Sequence, residues 1–168
     1  MPIFKFCPEC GRPLSLPTGP SEQVLFQSCS QCGATHFKNA KPSVSTVIVC
    51  DGKILLARRG REPFRGWWNL PGGFLDPWEH PTAGAIREVA EESGLVVRLG
   101  KLLEVAVYRY GERGDYLLNL CYLARVVGGE LGAADDAAEV RWFAPDDLPE
   151  QIAFMSNLPA LVARAVSD

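Results

Sequence analysis

No stretch of this 168-residue chain stays apolar for the roughly 18 to 20 residues that a bilayer-crossing helix needs, so no such helix is expected. The opening Met1-Pro2-Ile3-Phe4-Lys5-Phe6 lacks the basic and apolar regions of a secretory leader, and the chain is expected to be cytoplasmic. Charge of one sign is also scarce. With 17 Lys and Arg against 20 Asp and Glu, the net charge of −3 offers no broad attraction to nucleic acid. A small anionic molecule remains accessible through a bound cation. Internal repeats and low-complexity tracts are missing too, which excludes solenoids and linker-like chains. What is present, 47% hydrophobic and 22% charged residues, suffices for one sizeable core and a small appendage.

The appendage is the first forty residues, which hold few large apolar side chains but two Cys-x-x-Cys knuckles, Cys7-Pro8-Glu9-Cys10-Gly11 and Cys29-Ser30-Gln31-Cys32-Gly33. Each knuckle turns tightly enough to aim two thiolates at one ion, the arrangement of a tetrahedral Zn²⁺ site, while two disulfides or four buried thiols are the alternatives. Disulfides suit a secreted chain, and a glycine after each knuckle is typical of zinc ribbons, so structural Zn²⁺ on Cys7, Cys10, Cys29 and Cys32 is the preferred reading. Four thiolates leave no position for water, so this metal is expected to be scaffolding. Its binding energy would replace the core that so short a module lacks. Only Lys5, Arg12 and Lys38 are basic in this segment, which argues against a nucleic-acid-binding ribbon.

Lys38 to Pro42 marks a boundary, which divides the chain into residues 1–40 and 41–168. Beyond it, Val44 to Cys50 and Ile54 to Arg58 flank Asp51-Gly52, a favoured two-residue hairpin turn. Lys101 to Tyr110 and Tyr116 to Val127 read as two more strands joined through residues 111–115, after which Val126 to Gly132 turns the chain. Val140 to Phe143 reads as a last short strand, Pro145 to Leu148 as a helix start and Leu158 to Val166 as a terminal helix. Cys50 and Cys121, in strand-like runs, read as small buried residues.

Gly72 to Leu95 carries the chemistry. A glycine-bearing loop leads to a helix opened by Pro81 in its first turn and closed by Gly94 as a left-handed cap. Glu88, Glu91 and Glu92 fall at i, i+3 and i+4, within an arc of roughly 100°. Like charges at this spacing repel, so either water screens them on a solvated face or a cation uses them, and a small oxygen-rich site suits Mg²⁺ or Mn²⁺. Arg87 and Glu91 can pair at i, i+4, and Glu79 sits where the helix dipole favours negative charge. Arg58, Arg59, Arg61 and Arg65 form a local basic cluster that either is solvated or meets phosphates.

Gly73, Glu79, Arg87-Glu88-Val89, Glu91-Glu92 and Gly94-Leu95 stand in the spacing of the Nudix box, which the stretch resembles at every fixed position. The resemblance implies an α/β/α sandwich with a mixed sheet, preceded here by a small zinc ribbon, and a pyrophosphohydrolase acting on nucleoside diphosphates linked to another moiety. It implies a loop-helix-loop that binds divalent metal through Glu88 and Glu92, with Glu91 as a further ligand or water-orienting group and the backbone carbonyl of Gly72; Glu79 reads as mainly structural, with metal contact as the alternative. A glutamate outside the box often joins as ligand or base in such families, and Glu139 is the candidate, with an exposed loop glutamate as the alternative. Glu88, Glu91, Glu92 and Arg87 are thus the expected catalytic set.

The combination of ribbon and box is similar to NADH pyrophosphatases, yet their Ser-Gln-Pro-Trp-Pro-Phe-Pro type motif has no counterpart in Tyr108 to Leu118. The chain looks more like shorter zinc-ribbon members related to ADP-ribose and FAD pyrophosphatases, releasing AMP. Arg58, Arg59, Trp67, Trp68, Tyr108 and Tyr110 are the expected substrate contacts, with one of the two indoles in the core and the other free to stack on a base or flavin. Hydrolysis of NADH or a nucleoside triphosphate, or an inactive nucleotide-sensing module, are the alternatives; the complete set of box glutamates argues against the last. The reading leaves room for a homodimer.

Overall fold

The computed structural model describes residues 4–15, 26–110, 115–155 and 157–166. The chain forms two compact units, residues 1–40 and 41–168. In the first, strands β1 (Phe26–Ser28) and β2 (Thr35–Phe37) pair antiparallel, Gln27 opposite His36. Among the described residues of this unit, the buried apolar cluster is Cys7, Leu14 and Cys29 with Ala34 against them. A cluster of this size does not by itself offset the ordering entropy of the residues around it.

The second unit runs β3 (Lys41–Cys50), β4 (Lys53–Arg59), β5 (Trp68–Asn69), α1 (Pro81–Ser93), β6 (Leu95–Tyr110), β7 (Asp115–Gly129), β8 (Ala137–Phe143) and α2 (Leu158–Val166). β3 and β4 form the expected hairpin, with Asp51 at φ 49° and Gly52 at φ 72°, the left-handed pair that a tight turn of the strand twist demands. The sheet is mixed, in the order β5-β4-β3-β7-β6, with β8 added to β4 and β3 parallel to β7. Residues 43–48 of β3 are all buried, because helices cover both faces of the sheet. On one face Val47, Leu56 and Leu123 pack with Leu158, Leu161 and Val162 of α2. On the other, Ile48, Leu55 and Ala124 pack with Val89 of α1. Neighbours in sequence thus serve opposite layers, and the α/β/α sandwich follows from alternation of side chains along β3 and β4. Among the described residues, no helix is long and apolar enough to cross a membrane.

Several boundaries differ from the sequence-based expectations. β3 begins at Lys41, since its first residues pair with Leu117 and Leu118 of β7. β7 continues to Gly129 rather than turning at Val126, because β6 starts directly after the helix cap and offers Leu95 and Val96 as partners for Gly129 and Gly128. Pro145 to Leu148 is a turn closed by Asp147 N–H on the Ala144 carbonyl, not a helix start. Pro149, which disfavours helical backbone at Leu148, accounts for this. Cys121 is buried, whereas Cys50 at the strand end is only half-buried. Of the expected turn after Tyr110, residues 111–114 lie outside the described residues.

Candidate active site

β3 and β4 stay hydrogen-bonded only next to their turn, and further along, the loop before α1 occupies the edge of β3 that β4 leaves. Val44 N–H donates to the Gly73 carbonyl (2.9 Å) and Thr46 N–H to the Pro71 carbonyl (2.9 Å). This close approach requires glycine at position 72, where a Cβ would run into the Val44 carbonyl oxygen and lie 2.7 Å from Ser45 Cα. Gly73 is equally constrained by the site itself: a Cβ there would sit 2.5 to 2.6 Å from the Glu88 carboxylate. The loop is therefore pressed against the helix that carries the acids.

Helix α1 starts as expected, with Pro81 in its first turn, and ends in Gly94 at φ 70°, whose N–H caps the Ala90 carbonyl. His80 is the N-cap, its ring accepting from Thr82 N–H. The three glutamates of the helix do not share one environment. Glu88 and Glu92, one turn apart, are 9% and 5% exposed, while the Glu91 side chain is 46% exposed. Glu92 Oε2 accepts from Gly72 N–H at 3.0 Å. Burial pushes the Glu92 carboxyl up to about 8; the Gly72 amide pulls it back in part, and the charges of Asp136 and Glu88 add to the rise. Glu88 is raised as well, first by burial, against the lowering effect of Arg87.

Arg87 is the hub of the remaining charges. It grips Glu79 with two parallel bonds of 2.8 Å, and reaches Glu88 Oε1 and Glu91 Oε2 through one further nitrogen, each at 2.8 Å. Its Nη2 also donates to the Phe74 carbonyl (3.2 Å). The Arg87 fork and the Asp76 amide hold the Glu79 carboxyl down to about 2. Glu79 is thereby committed to bracing the loop, and Glu91 to Arg87. Glu88 (which also meets Arg87), Glu92 and the nearby Asp136 are buried or half-buried carboxylates close enough to act on one another, hard oxygen donors of the kind a divalent cation takes.

The cavity beside this cluster, of about 120 Å³, is lined by Gly72, Gly73 and Asp136 at the helix end and by Phe74, Tyr108, Tyr110 and Phe154 along its walls. The Tyr110 and Phe154 rings are stacked, 5.5 Å apart, and the Arg59 guanidinium lies 4.9 Å from the centre of Phe154. At the floor, Asn119 accepts from the Ser43 hydroxyl (3.1 Å) and donates to that of Ser45 (2.8 Å), all three buried. Of the substrate contacts named from sequence, Arg59, Tyr108 and Tyr110 line this cavity. Arg58, Trp67 and Trp68 do not. Trp68 is the core indole, packed edge-on against Phe143 at 4.8 Å, and Trp67 packs on Phe64 at 5.2 Å. Arg58 is turned to the Gly66 carbonyl (3.0 Å) and to Glu139 (3.6 Å). Glu139 is also paired with Arg141, so two arginines hold the acid proposed from outside the box.

Asp136 was missed. It lies one residue before β8, and a bulge between Arg58 and Arg59 shifts the β4–β8 register so that Arg59 opposes Ala137. The backbone there is fixed by Gly60 N–H on the Asp136 carbonyl (2.8 Å). Nothing in the Ala133-Ala134-Asp135-Asp136 run reveals which acid turns inward. Phe154, at φ 66° and far along the chain, carried no signal either.

In the first unit the two knuckles repeat one hydrogen-bonding scheme. Cys7 N–H donates to the Arg12 carbonyl and Gly11 N–H to that of Cys7, as Cys29 does to Ala34 and Gly33 to Cys29, at 2.8 to 2.9 Å. The four sulfurs lie within 4.8 Å of one another, with Cys7–Cys32 and Cys10–Cys29 at 3.7 Å. All four cysteines are free, so the disulfide alternative is not realised. A tetrahedral ion with bonds of about 2.3 Å requires sulfur pairs roughly 3.8 Å apart, close to the Cys7–Cys32 and Cys10–Cys29 separations.

The class of protein is thus an α/β/α sandwich that presses a glycine loop onto a helix with inward-facing carboxylates beside a small cavity. The NUDIX domain family matches residues 40–163, and the chain belongs to that family. A protein named ADP-ribose pyrophosphatase from Methanocaldococcus jannaschii is 36% identical over 108 residues, 64% of this chain and 64% of that one. One named NAD-capped RNA hydrolase NudC, from Stutzerimonas stutzeri, is 27% identical over 146 residues, 86% of this chain and 50% of that one. The chain thus spans only half to 64% of the length of these relatives. A solved NUDIX hydrolase from Nitrosomonas europaea superimposes with a TM-score of 0.78 at 28% identity, covering 98% of this chain and 91% of that one.

Proposed function

We propose that the protein is a divalent-metal-dependent pyrophosphohydrolase that cleaves ADP-ribose or FAD and releases AMP. The observation that carries this reading is the trio Glu88, Glu92 and Asp136, carboxylates gathered beside an aromatic-walled cavity with Arg87 bonded to Glu88. Glu88, Glu92 and the Gly72 backbone would hold Mg²⁺ or Mn²⁺, and such an ion neutralises charge on phosphoryl oxygens and acidifies water. Asp136 takes the part of the acid from outside the box, in place of Glu139, and orients water against Glu92. Arg87 positions Glu88 and Glu91 without touching substrate. Arg59, at the cavity wall, is the cation placed to meet phosphate, and Tyr110 and Phe154 supply stacking surface. In the first unit, Cys7, Cys10, Cys29 and Cys32 hold structural Zn²⁺.

The test is a Mg²⁺-dependent activity screen over ADP-ribose, FAD, NADH and nucleoside triphosphates, scored by mononucleotide release. We expect kcat/KM for ADP-ribose or FAD at least about tenfold above NADH, about 1.4 kcal/mol in transition-state binding. A preference for NADH would shift the substrate and leave the reaction class standing. No release from any compound would overturn the hydrolase reading.

A further inference from the structure

One polar network at the cavity has no part in the chemistry described so far. Tyr108, on β6, lines the cavity, and its hydroxyl donates to Glu104 Oε2 at 2.8 Å. Asn157, from the residue before α2, donates to both oxygens of the same carboxylate at 2.8 and 2.9 Å. Glu104 lies at a bulge of β6, where the pairing with β7 slips between Leu102 and Glu104. The edge strand and the start of α2 are thereby joined through one carboxylate, which fixes the ring of Tyr108.

The consequence is chemical. A phenol has a single hydrogen, and here Glu104 takes it, so the Tyr108 oxygen, toward which the Asn157 amide also donates, can offer a cavity ligand only its remaining lone pair. Burial first, and then Glu104, push the Tyr108 hydroxyl well above its usual range, which keeps that hydrogen in place at every working pH. The floor beside it is neutral: the Asn119 amide, locked between Ser43 and Ser45, retains one N–H and one lone pair. Arg59 is the only cation among the described residues of the lining, and its Nε is engaged by the Pro63 carbonyl at 2.7 Å. A phosphate at Tyr108 would meet an acceptor backed by a carboxylate, whereas a hydroxyl or amine would find its complement.

We propose that Tyr108, positioned by Glu104 and Asn157, is a specificity-determining acceptor, and that this end of the cavity takes the uncharged nucleoside half of the substrate through an O–H or N–H donor and rejects a phosphate. The inference rests on the hydrolase reading only for the identity of that half, which is adenosine in both ADP-ribose and FAD. Tyr108 contacts substrate; Glu104 and Asn157 are positioning residues.

The test is calorimetric binding of adenosine, and of adenosine carrying a 2′- or 3′-phosphate, to the full chain without added Mg²⁺, so that turnover is not needed. Adenosine should bind the wild type, and each phosphorylated form at least about tenfold more weakly. Tyr108→Phe should weaken adenosine at least about fivefold, and with a cleaved substrate should raise KM while leaving kcat within about threefold. Glu104→Gln keeps an acceptor for the phenol but removes the charge. It should hold adenosine within about threefold of wild type and narrow the penalty against the phosphorylated forms, a change that a purely structural Glu104 would not produce. Failure of adenosine to bind, unchanged binding by Tyr108→Phe, or equal affinity for the phosphorylated forms would each overturn the proposal. Should Tyr108→Phe fail to fold, the Glu104→Gln ratio decides. Loss of pyrophosphatase activity in the screen above, with this binding pattern intact, would remove the hydrolase reading and leave the cavity assignment standing.

Discussion

The two candidate metal centres of this chain solve opposite problems. In the first unit, four thiols already lie within 4.8 Å of one another, those of each knuckle held by its own backbone hydrogen bonds. In the second, the acids on and before α1 are divided: Glu79 and Glu91 are tied to Arg87, Glu88 is buried but shared with Arg87, and Glu92 is buried near Asp136 with the Gly72 amide donating to it. A closed site is built to keep its ion, and its geometry is local. An open one keeps carboxylates under electrostatic strain until a cation and a substrate relieve it, and its geometry is borrowed from the whole fold.

The largest effect should come from removing one inward acid. Glu92→Gln, and likewise Glu88→Gln, should lower kcat by at least about 10² with the fold intact by circular dichroism. Turnover close to wild type at saturating Mg²⁺ would place the metal elsewhere. On the other side of the comparison, Cys29→Ser or Cys32→Ser should abolish stoichiometric zinc by elemental analysis and expose the amides of the first unit to hydrogen exchange, yet cost less than about tenfold in kcat. Full zinc retention in both variants would show that the thiols gather for another reason.

Next in size is Arg87→Lys, which keeps a charge but loses the two-pronged grip on Glu79 and the reach to Glu88 and Glu91. A fall in kcat of roughly tenfold together with a lower Tm is expected; a change in KM alone would mean that Arg87 touches substrate. The smallest effect concerns pH. The Glu92 carboxyl is raised to about 8 in the folded chain, against an unfolded value near 4.5. Its contribution to stability is therefore complete below about 4.5 and is lost as pH rises through about 8. Without added Mg²⁺, the Tm of Glu92→Gln should gain on that of the wild type between pH 5 and pH 8. Mg²⁺ should raise the wild-type Tm at pH 8 and do little for the variant. A constant difference across that range would mean that Glu92 is ionised throughout.

What the sequence determined by itself is what short-range geometry fixes. The caps of α1 at Pro81 and Gly94, the turn at Asp51-Gly52 and the paired knuckles each depend on a few adjacent residues whose backbone preferences act alone. The glutamate spacing on α1 followed from the helical repeat, although its division into two buried acids and one outward partner of Arg87 did not. That division, and the composition of the cleft, was decided by tertiary structure. The bulge in β4 sets Glu139 opposite Arg58 and puts Asp136 just past the shift, and the slip in β6 brings Glu104 to Asn157, more than fifty positions away in the chain. Trp68 was claimed by the core because β4 and β8 pack Phe143 against it. Such choices depend on strand register, where a shift of one residue sends a side chain to the other face, and no local propensity in the sequence specifies it.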